Sequence, residues 1–312
     1  MVAIIIVTLN SGKFIKNCLN SIREKTGYKN YKVVVSDNGS TDGTIELVKN
    51  KYKWVDLIEN GKNLYFAGGN NIAMKYALKK YNPDYFFWLN DDIKIIQKDW
   101  LNEVVKTAES DDKIGIVGTN PIYPDGVAQN PGGYIKGPFI IIDKKLDRFK
   151  EVDHVTAFCL IKRKVIDKIG LIDEVFIPYL LEETDYCLRA KRAGFKIISR
   201  GDIRIVHYKS QTINREKEVK INSVRFKNDS IFSLINLKPH FALIRLFIYL
   251  PSVMLLKKKD EKKTVSISNA KLRDNLSLNT LNMIKGYFYI LTHIGFIYKK
   301  RIERNRNSKI WY

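Results

Sequence analysis

The chain has 312 residues, of which 45% are hydrophobic, so it is long enough and apolar enough to bury a sizeable core. This composition excludes a chain that is disordered throughout. A formal net charge of +21 indicates an anionic partner, a membrane surface or both.

Short apolar runs rich in β-branched residues alternate with amphipathic patterns in the first part of the chain. The predicted strands are Val2–Val7, Lys32–Ser36, Val55–Ile58 and Tyr85–Leu89, and the predicted helices are Gly12–Lys25, Asp42–Lys51 and Asn70–Lys80. This alternation is typical of βαβ units in an α/β fold, with a mainly parallel sheet covered on both faces. In such sheets ligands bind at the carboxyl ends of the strands.

Polar residues stand where these strands end. Thr8 and Asn10 follow the first strand, Asp37 follows the second, and Asp91 and Asp92 follow the fourth. Adjacent carboxylates repel each other unless a cation joins them, and divalent Mg²⁺ or Mn²⁺ takes oxygen ligands of this kind. Taken alone, the Asp-Asp pair is explained at least as well by a solvated turn.

The turn after the second strand has two interpretations that are compatible with each other. Asp37 can accept a hydrogen bond from a nucleoside base, and the glycines of the Asn38–Gly43 segment let backbone approach a ligand. Ser40, Thr41 and Asp42 are also good N-cap residues, so the same turn can simply begin a helix.

The residue composition of the chain changes at Ile114. The segment Ile114–Phe139 is rich in Gly and Pro and predicts a substrate-binding excursion. A strand is predicted at Val155–Ile161, and a helix is predicted from about Glu182 to Ala193, closed by Gly194.

This helix begins with three acids in four positions, Glu182, Glu183 and Asp185. The helix macrodipole favours acids there, but three exceed what capping needs, and a carboxylate facing a sugar hydroxyl can act as a general base. Both interpretations stay open at this point. Predicted strands at Phe195–Ile198 and Ile203–Val206 lead to His207, and a lone histidine is more often structural than a metal ligand.

After residue 208 the chain becomes strongly basic. Residues 209–312 hold 22 Lys and Arg against 7 Asp and Glu, a net charge of +15, whereas residues 1–208 carry +6. The apolar stretches Phe241–Leu256 and Tyr287–Tyr298 are short for spanning helices, and each is followed by a basic cluster, Lys257–Lys263 and Lys299–Arg301. Apolar helices beside basic clusters are typical of an anionic membrane interface.

The three cysteines, Cys18, Cys159 and Cys187, form no CxxC pair, which indicates a reducing compartment. No basic residues precede Val2–Val7 and no cleavage site follows it, so we expect a buried strand there and not a signal peptide. A cytoplasmic protein is therefore predicted.

Taken in order, the motifs resemble family 2 inverting glycosyltransferases with the GT-A fold, particularly their rhamnosyltransferase-like branch. The resemblance covers roughly residues 2–208. The segments that carry it are Ile5–Asn10, Ser36–Gly43, Asn63–Asn71, Leu89–Asp92, Ile169–Glu174, Glu182–Arg189 with Gly194, and His207.

The resemblance implies a role for each matching position. It implies that Thr8, Asn10, Asp37 and Asn63 contact the nucleotide and that Asp91 approaches the ribose or diphosphate. It further implies that Asp92 is the main ligand of Mn²⁺ or Mg²⁺, with His207 as a later metal or diphosphate contact. The catalytic base falls on Glu183, where the family usually has aspartate, so Asp185 is the fallback. The DXD-type element begins here with Asn90, which leaves two acids for the metal.

The resemblance also implies a domain plan and partners. Residues 1–208 are expected to form the catalytic domain, with a nucleotide-sugar part over about 1–119 and an acceptor part over about 120–208. Residues 209–312 are expected to form a basic helical region that rests on a membrane. The expected partners are a nucleotide-diphosphate sugar donor, a glycan or lipid-linked acceptor and the anionic inner face of the cell membrane, with no nucleic acid. The alternative is a non-catalytic basic protein that binds anionic membranes or nucleic acid.

Overall fold

A computed structural model of the protein describes residues 1–145, 149–208, 215–255 and 276–305. The chain divides into two compact units. The first unit comprises Met1–Gly133 and Asp143–Ser210, and the second comprises Tyr134–Ile142 and Gln211–Tyr312.

Strands and helices alternate through the first unit, and helices dominate the second. The strands are β1 (Val2–Thr8), β2 (Tyr31–Asp37), β3 (Val55–Glu59), β4 (Tyr85–Asn90), β5 (Ile93–Ile95), β6 (Ile114–Ile122), β7 (Gly133–Lys136), β8 (Phe139–Ile142), β9 (Phe149–Val152), β10 (Cys159–Lys162) and β11 (Lys196–His207). The helices are α1 (Gly12–Lys25), α2 (Thr44–Lys51), α3 (Tyr65–Tyr81), α4 (Trp100–Glu109), α5 (Arg163–Ile169), α6 (Glu182–Arg192), α7 (Arg215–Asn236), α8 (Pro239–Ile244), α9 (Leu250–Leu255), α10 (Leu276–Thr292) and α11 (Ile294–Asn305).

The first unit is built on one mixed, mostly parallel sheet. Its strand order is β3-β2-β1-β4-β10-β6-β11-β5, with β9 paired to β11. β1 lies parallel to both β2 and β4 in register, so Thr8 pairs with Asp37 and Val7 pairs with Asn90. The five residues from Val2 to Ile6 are fully buried, as expected for a strand covered on both faces. The predicted α/β class is confirmed.

Helix α1 shows how the sequence pattern produces the packing. Its buried residues Ile15, Cys18, Leu19 and Ile22 recur at the three- and four-residue spacing of one helix face. They join the same hydrophobic core as Ile4 and Ile6 of β1. Arg23 and Lys25 in the last turn complement the helix dipole.

The interpretation of Ile114–Phe139 as one Gly- and Pro-rich excursion is wrong for its first part. Residues 114–122 form β6, which is buried along its whole length between β10 and β11. The glycines serve close packing: a Cβ on Gly118 would lie 2.4 Å from the Val155 side chain. Strands that contain glycine for this reason resemble loops in sequence.

Two strands also differ from prediction in extent and direction. The strand predicted from Val155 begins only at Cys159, and it runs antiparallel between β4 and β6. The two strands predicted after Gly194 are one continuous strand, β11, whose register against β6 shifts between Arg200 and Arg204. This irregularity lies at the gap between the two predicted strands.

The second unit contains the β7–β8 pair and the helices α7 to α11. Helix α7 packs against α10 and α11. Helices α8 and α9 are joined through a π-helical turn, Arg245–Tyr249, so that residues 239–255 form one continuous rod, here called the α8–α9 helix. The basic run Lys257–Lys263 lies outside the described residues. Among the helices that the structure describes, none combines the length and apolarity needed to cross a bilayer.

Candidate active site

The loops after β1 and β2 are fastened to each other at the carboxyl edge of the sheet. The side-chain oxygen of Asn10 accepts a hydrogen bond from the Thr41 amide at 2.8 Å, and the Asn10 amide donates to the Ser40 hydroxyl at 2.8 Å. Asn10 itself has a φ of 51°, in the left-handed region that Asn tolerates better than most residues. The two loops therefore form one rigid rim.

The carboxylate of Asp37 holds the turn after β2 in place. Its side chain is fully buried, and its carboxylate accepts hydrogen bonds from the Gly39 amide at 2.9 Å, the Ser40 amide at 2.8 Å and the Ser40 hydroxyl at 2.6 Å. Gly39 has a φ of 87°, and a Cβ there would lie 3.1 Å from the backbone nitrogen of Lys62. In this structure Asp37 holds the turn that we expected to receive a nucleoside.

A network of side-chain amides continues the rim from β2 to α3. The amide nitrogen of Asn38 donates to the Asn63 side chain at 3.3 Å and to the Tyr65 carbonyl at 3.1 Å. Asn63 in turn accepts from the Tyr65 amide at 2.8 Å, directly at the start of α3. Asn63 remains exposed, which leaves it accessible to a ligand.

The two acids after β4 take different partners. The Thr8 hydroxyl donates to Asp91 at 2.7 Å, so the ends of β1 and β4 are joined. Burial raises the pKa of Asp91 to about 6; the Thr8 hydrogen bond opposes this shift, and the negative charge of Asp92 adds to it. Asp92 lies 3.2 Å from Nε2 of His207, and the Tyr208 amide donates to the Asp92 carbonyl at 2.9 Å. The structure thus brings Thr8, Asp91, Asp92 and His207 to one place.

Gln129, a residue that the sequence analysis did not single out, fixes the orientation of the His207 ring. The Nε2 amide group of Gln129 donates a hydrogen bond to the backbone carbonyl of His207 at 2.8 Å. This bond turns the side-chain oxygen Oε1 of Gln129 toward Nδ1 of the His207 ring, also at 2.8 Å. Since that oxygen can only accept, the proton belongs on Nδ1. In a neutral ring the lone pair is then on Nε2 and faces the Asp92 carboxylate, an arrangement that a cation between the two groups would stabilise. The Phe158 ring, with centroids 4.9 Å apart, supports the imidazole from one side.

These residues fit a divalent cation that also binds a phosphate-bearing ligand. Among the described residues no group of three or more His, Cys, Asp or Glu side chains is arranged to hold a metal alone. Mg²⁺ and Mn²⁺ commonly use one or two protein ligands and complete their shell with water and substrate phosphate oxygens. Asp92 and the Nε2 of His207 supply such a pair, and a cation would offset the repulsion between Asp91 and Asp92.

The start of α6, which carries the three acids, packs against β4. Tyr186 packs edge-on against Trp88 of β4, with ring centroids 5.0 Å apart, and Trp88 stands two residues before Asn90. Burial first, then Cys187 and the charge of Glu183, raise the pKa of the thiol of Cys159, which pairs with Trp88 in the sheet. The contact between Tyr186 and Trp88 brings the start of α6 to the carboxyl-terminal half of β4.

Glu183 and Asp185 differ in their surroundings. Burial raises the pKa of the Glu183 carboxyl above its usual 4.5, as is expected for a group that must accept a proton near neutral pH. Asp185 is fully buried, and its carboxylate is bound by Arg189 at 3.2 Å. Arg189 also donates to the Ile169 and Leu171 carbonyls at 2.8 and 2.7 Å, so Asp185 anchors a loop.

The segment before α6 is locally strained. Leu180 and Leu181 have φ values of 84° and 76°, a region that side chains other than Gly and Asn rarely adopt. Such strain is often retained at functional sites. Nothing in the residue types of Leu180 and Leu181 signalled it, and the pairing of Gln129 with His207 across 78 residues was equally invisible in the sequence.

Comparison with known proteins places these observations in a family. Residues 3–170 match the family described as Glycosyl transferase family 2. The low-salt glycan biosynthesis hexosyltransferase Agl10 of Haloferax volcanii is 28% identical over 62% of this chain and 63% of its own length. The N-acetylglucosaminyl-diphospho-decaprenol L-rhamnosyltransferase of Mycobacterium tuberculosis is 23% identical over 68% of this chain and 78% of its own length. The chain spans less than two thirds of the length of several curated relatives, 25% in one case and 63% in another.

Solved structures show the same fold. The mannosyltransferase PcManGT from Pyrobaculum calidifontis, solved in complex with GDP-Man and Mn²⁺, superposes with a TM-score of 0.53 over 94% of this chain and 75% of its own. At 14% sequence identity this likeness concerns the fold alone. The GT-A fold that the sequence predicted is thereby confirmed.

Proposed function

The chain belongs to glycosyl transferase family 2, and from that premise we propose that it is an inverting transferase that uses a nucleotide-diphosphate sugar, UDP- or dTDP-linked. The observation that carries the proposal is the juxtaposition of Asp92 with His207, 3.2 Å apart, next to Asp91 at the carboxyl edge of the sheet. The neighbouring rim formed by Asn10, Asp37 and Asn63 supports a nucleoside site beside it.

In the proposed site Asp92 and His207 would hold Mn²⁺ or Mg²⁺. A cation there would act as a Lewis acid that neutralises charge on the diphosphate leaving group. Thr8 orients Asp91 through its hydroxyl, and Gln129 keeps the His207 proton on Nδ1. The protein's contribution is thus to present one carboxylate and one imidazole lone pair in a fixed direction.

We assign the general base to Glu183. Its carboxylate takes the proton of the acceptor hydroxyl, whose oxygen bonds to the anomeric carbon as the bond from that carbon to the diphosphate breaks. One displacement inverts the configuration, and no covalent enzyme intermediate forms. The raised pKa of Glu183 supports this assignment, because a base of higher pKa binds the proton more strongly. The Arg189 contact and full burial of Asp185 favour Glu183 over that fallback.

The proposed acceptor is a hydroxyl of a lipid-linked or cell-surface glycan, used at the cytoplasmic face of a membrane. The Mycobacterium relative is named for a diphospho-decaprenol acceptor, which supports a lipid-linked substrate here. The charge of +15 on residues 209–312 supports an anionic membrane surface as a partner.

Donor use can be tested by incubating the protein and Mn²⁺ with UDP-, dTDP- and GDP-sugars and measuring release of the nucleoside diphosphate. A Glu183→Gln protein is the matched control, because it keeps the donor site and loses the base. Release from one donor, stimulated by a lipid-linked glycan and lost in the variant, supports the proposal. No release with any donor and acceptor would sink it.

A further inference from the structure

The α8–α9 helix of the second unit presents an apolar side to solvent. Leu243, Ile244, Phe247 and Ile248 are spaced so that they share one helix face, and they are 52, 39, 60 and 64% exposed. Surface helices in water usually turn such a face toward the core. Here the opposite side of the helix is the buried one.

Helix α10 repeats this arrangement. Leu281, Ile284, Phe288 and Leu291 recur at spacings of three and four residues and are 44 to 72% exposed. Its neighbour Tyr287 stacks on Phe247, with ring centroids 5.8 Å apart, so the two exposed stripes adjoin. Together these eight residues form a continuous surface, here called the outer apolar face.

The interior of the same unit is an apolar core that also contains a buried ion pair. Arg245 is 2% exposed; its guanidinium forms an ion pair with Asp229 and donates to the Pro138 carbonyl. Further buried polar side chains come from α7 and α10: Asn228, Ser230, Ser233, Asn236 and Asn282. Buried apolar side chains, among them Phe226, Phe232 and Leu246, surround these polar groups. The unit therefore has its own core and still exposes large apolar side chains.

An apolar face that stays exposed beside a filled core is unfavourable in water. Exposed apolar patches of this extent mark interaction surfaces. We propose that the outer apolar face lies in the interfacial layer of an anionic lipid bilayer. The occupant is identified by charge, because residues 209–312 carry a net charge of +15 and attract acidic headgroups.

The helices rest on the bilayer and do not cross it. Helix α10 has 17 residues, about 26 Å at the usual rise per residue, and Lys285 is exposed in its middle. A lysine can extend its ammonium to the headgroups while its stem stays apolar. Lys299 and Lys300 continue the basic character into α11.

This inference deepens the proposed function, on which it rests for the presence of a lipid-linked acceptor at the membrane. It is tested by sedimentation of the full chain with vesicles of phosphatidylglycerol and phosphatidylethanolamine, and with vesicles of phosphatidylcholine alone. The test variant is Phe247→Ser with Phe288→Ser. The control is Phe149→Ser, which removes a 54% exposed phenylalanine from the first unit.

We expect the wild type and Phe149→Ser to bind the anionic vesicles, with binding weakened by salt and by the change to phosphatidylcholine. The double variant should bind at least about tenfold more weakly, because each phenylalanine contributes apolar area that leaves water. Nucleotide affinity, measured on every variant, should stay unchanged and confirms folding of the first unit.

Equal vesicle binding by the wild type and the double variant would overturn the proposal. So would a wild type that ignores vesicles and self-associates in sedimentation velocity until the two phenylalanines are replaced, since a second copy would then cover the face. If vesicle binding behaves as expected but no nucleotide binds, the transferase proposal fails and the bilayer surface stands.

Discussion

The two units of the molecule differ in the side chains that they expose around their cores. In the first unit the strands β1, β2 and β4 are buried among apolar helix faces, and the polar side chains gather at one edge of the sheet. In the second unit Arg245 and Asp229 are buried while Phe247 and Phe288 are exposed.

This difference teaches that a filled apolar core does not decide what a unit exposes. In the first unit the apolar side chains form the core, and polar groups at one edge of the sheet are open to a ligand in water. In the second unit large apolar side chains remain exposed outside the core, and we propose that a bilayer covers them.

The largest effect on the first unit is expected from Glu183→Gln. Transfer should fall roughly 10²- to 10⁴-fold, as for loss of a general base, while nucleotide affinity stays unchanged. The melting temperature should rise, because burial raises the pKa of Glu183 and its ionised form therefore opposes folding at neutral pH. Glu46→Gln, an exposed position on α2, should change none of these quantities. Unaltered transfer by Glu183→Gln contradicts the assignment.

A second change, Asp92→Ala, addresses the proposed metal pair. Transfer should fall roughly 10²- to 10³-fold, the loss expected when Lewis-acid stabilisation of several kcal/mol is removed. Nucleotide binding should lose its dependence on Mn²⁺. Metal-independent transfer by Asp92→Ala at the wild-type rate would show that Asp92 does not bind a catalytic metal.

The buried ion pair of the second unit is tested by Asp229→Ala. Removing this acid leaves the buried Arg245 without its ion-pair partner, so the free energy of unfolding should fall by roughly 3–5 kcal/mol. The same substitution at Asp167, whose pair with Arg163 is exposed, should cost at most about 1 kcal/mol. Denaturant titration in the presence of anionic vesicles measures both. Equal costs would mean that the Arg245–Asp229 pair is not shielded from water.

The smallest expected effect comes from Gln129→Leu, which removes the acceptor behind His207. Mn²⁺ affinity should fall roughly 10- to 100-fold, the range seen when the partner of a metal-binding histidine is lost. Gln129→Glu retains an acceptor for Nδ1–H and should restore most of the affinity. NMR of the His207 ring nitrogens should show Nδ1 protonated in the wild type and a mixture of tautomers in Gln129→Leu. An unchanged tautomer and affinity would make Gln129 merely structural.

Much of the fold could be predicted because its signals are local. Continuous apolar runs produced β1 and β2, and the alternation with amphipathic patterns implied the parallel sheet. Strand β6 was missed because its glycine looked like a loop residue. Gly118 leaves room for the side chain of Val155, which comes from a distant part of the chain. The position of Asp91 and Asp92 after β4 followed from chain order, whereas the support of His207 by Gln129 depends on the folded arrangement.

The buried side of the α8–α9 helix was also beyond the sequence pattern. The stretch from Phe241 to Leu256 is apolar on most sides, so periodicity alone does not say which side faces outward. Arg245 interrupts the apolar residues of that stretch, yet in the fold it lies on the buried side. The roles of the nucleotide-site residues and of Glu183 stay predictions.

The most direct test of the central claim is isothermal titration of the wild-type protein with UDP, dTDP and GDP, with and without Mn²⁺. One nucleotide should bind, and its binding should need the metal, because the diphosphate would share the cation with Asp92 and His207. Failure of all three nucleotides to bind in the presence of Mn²⁺ would contradict the proposed donor site.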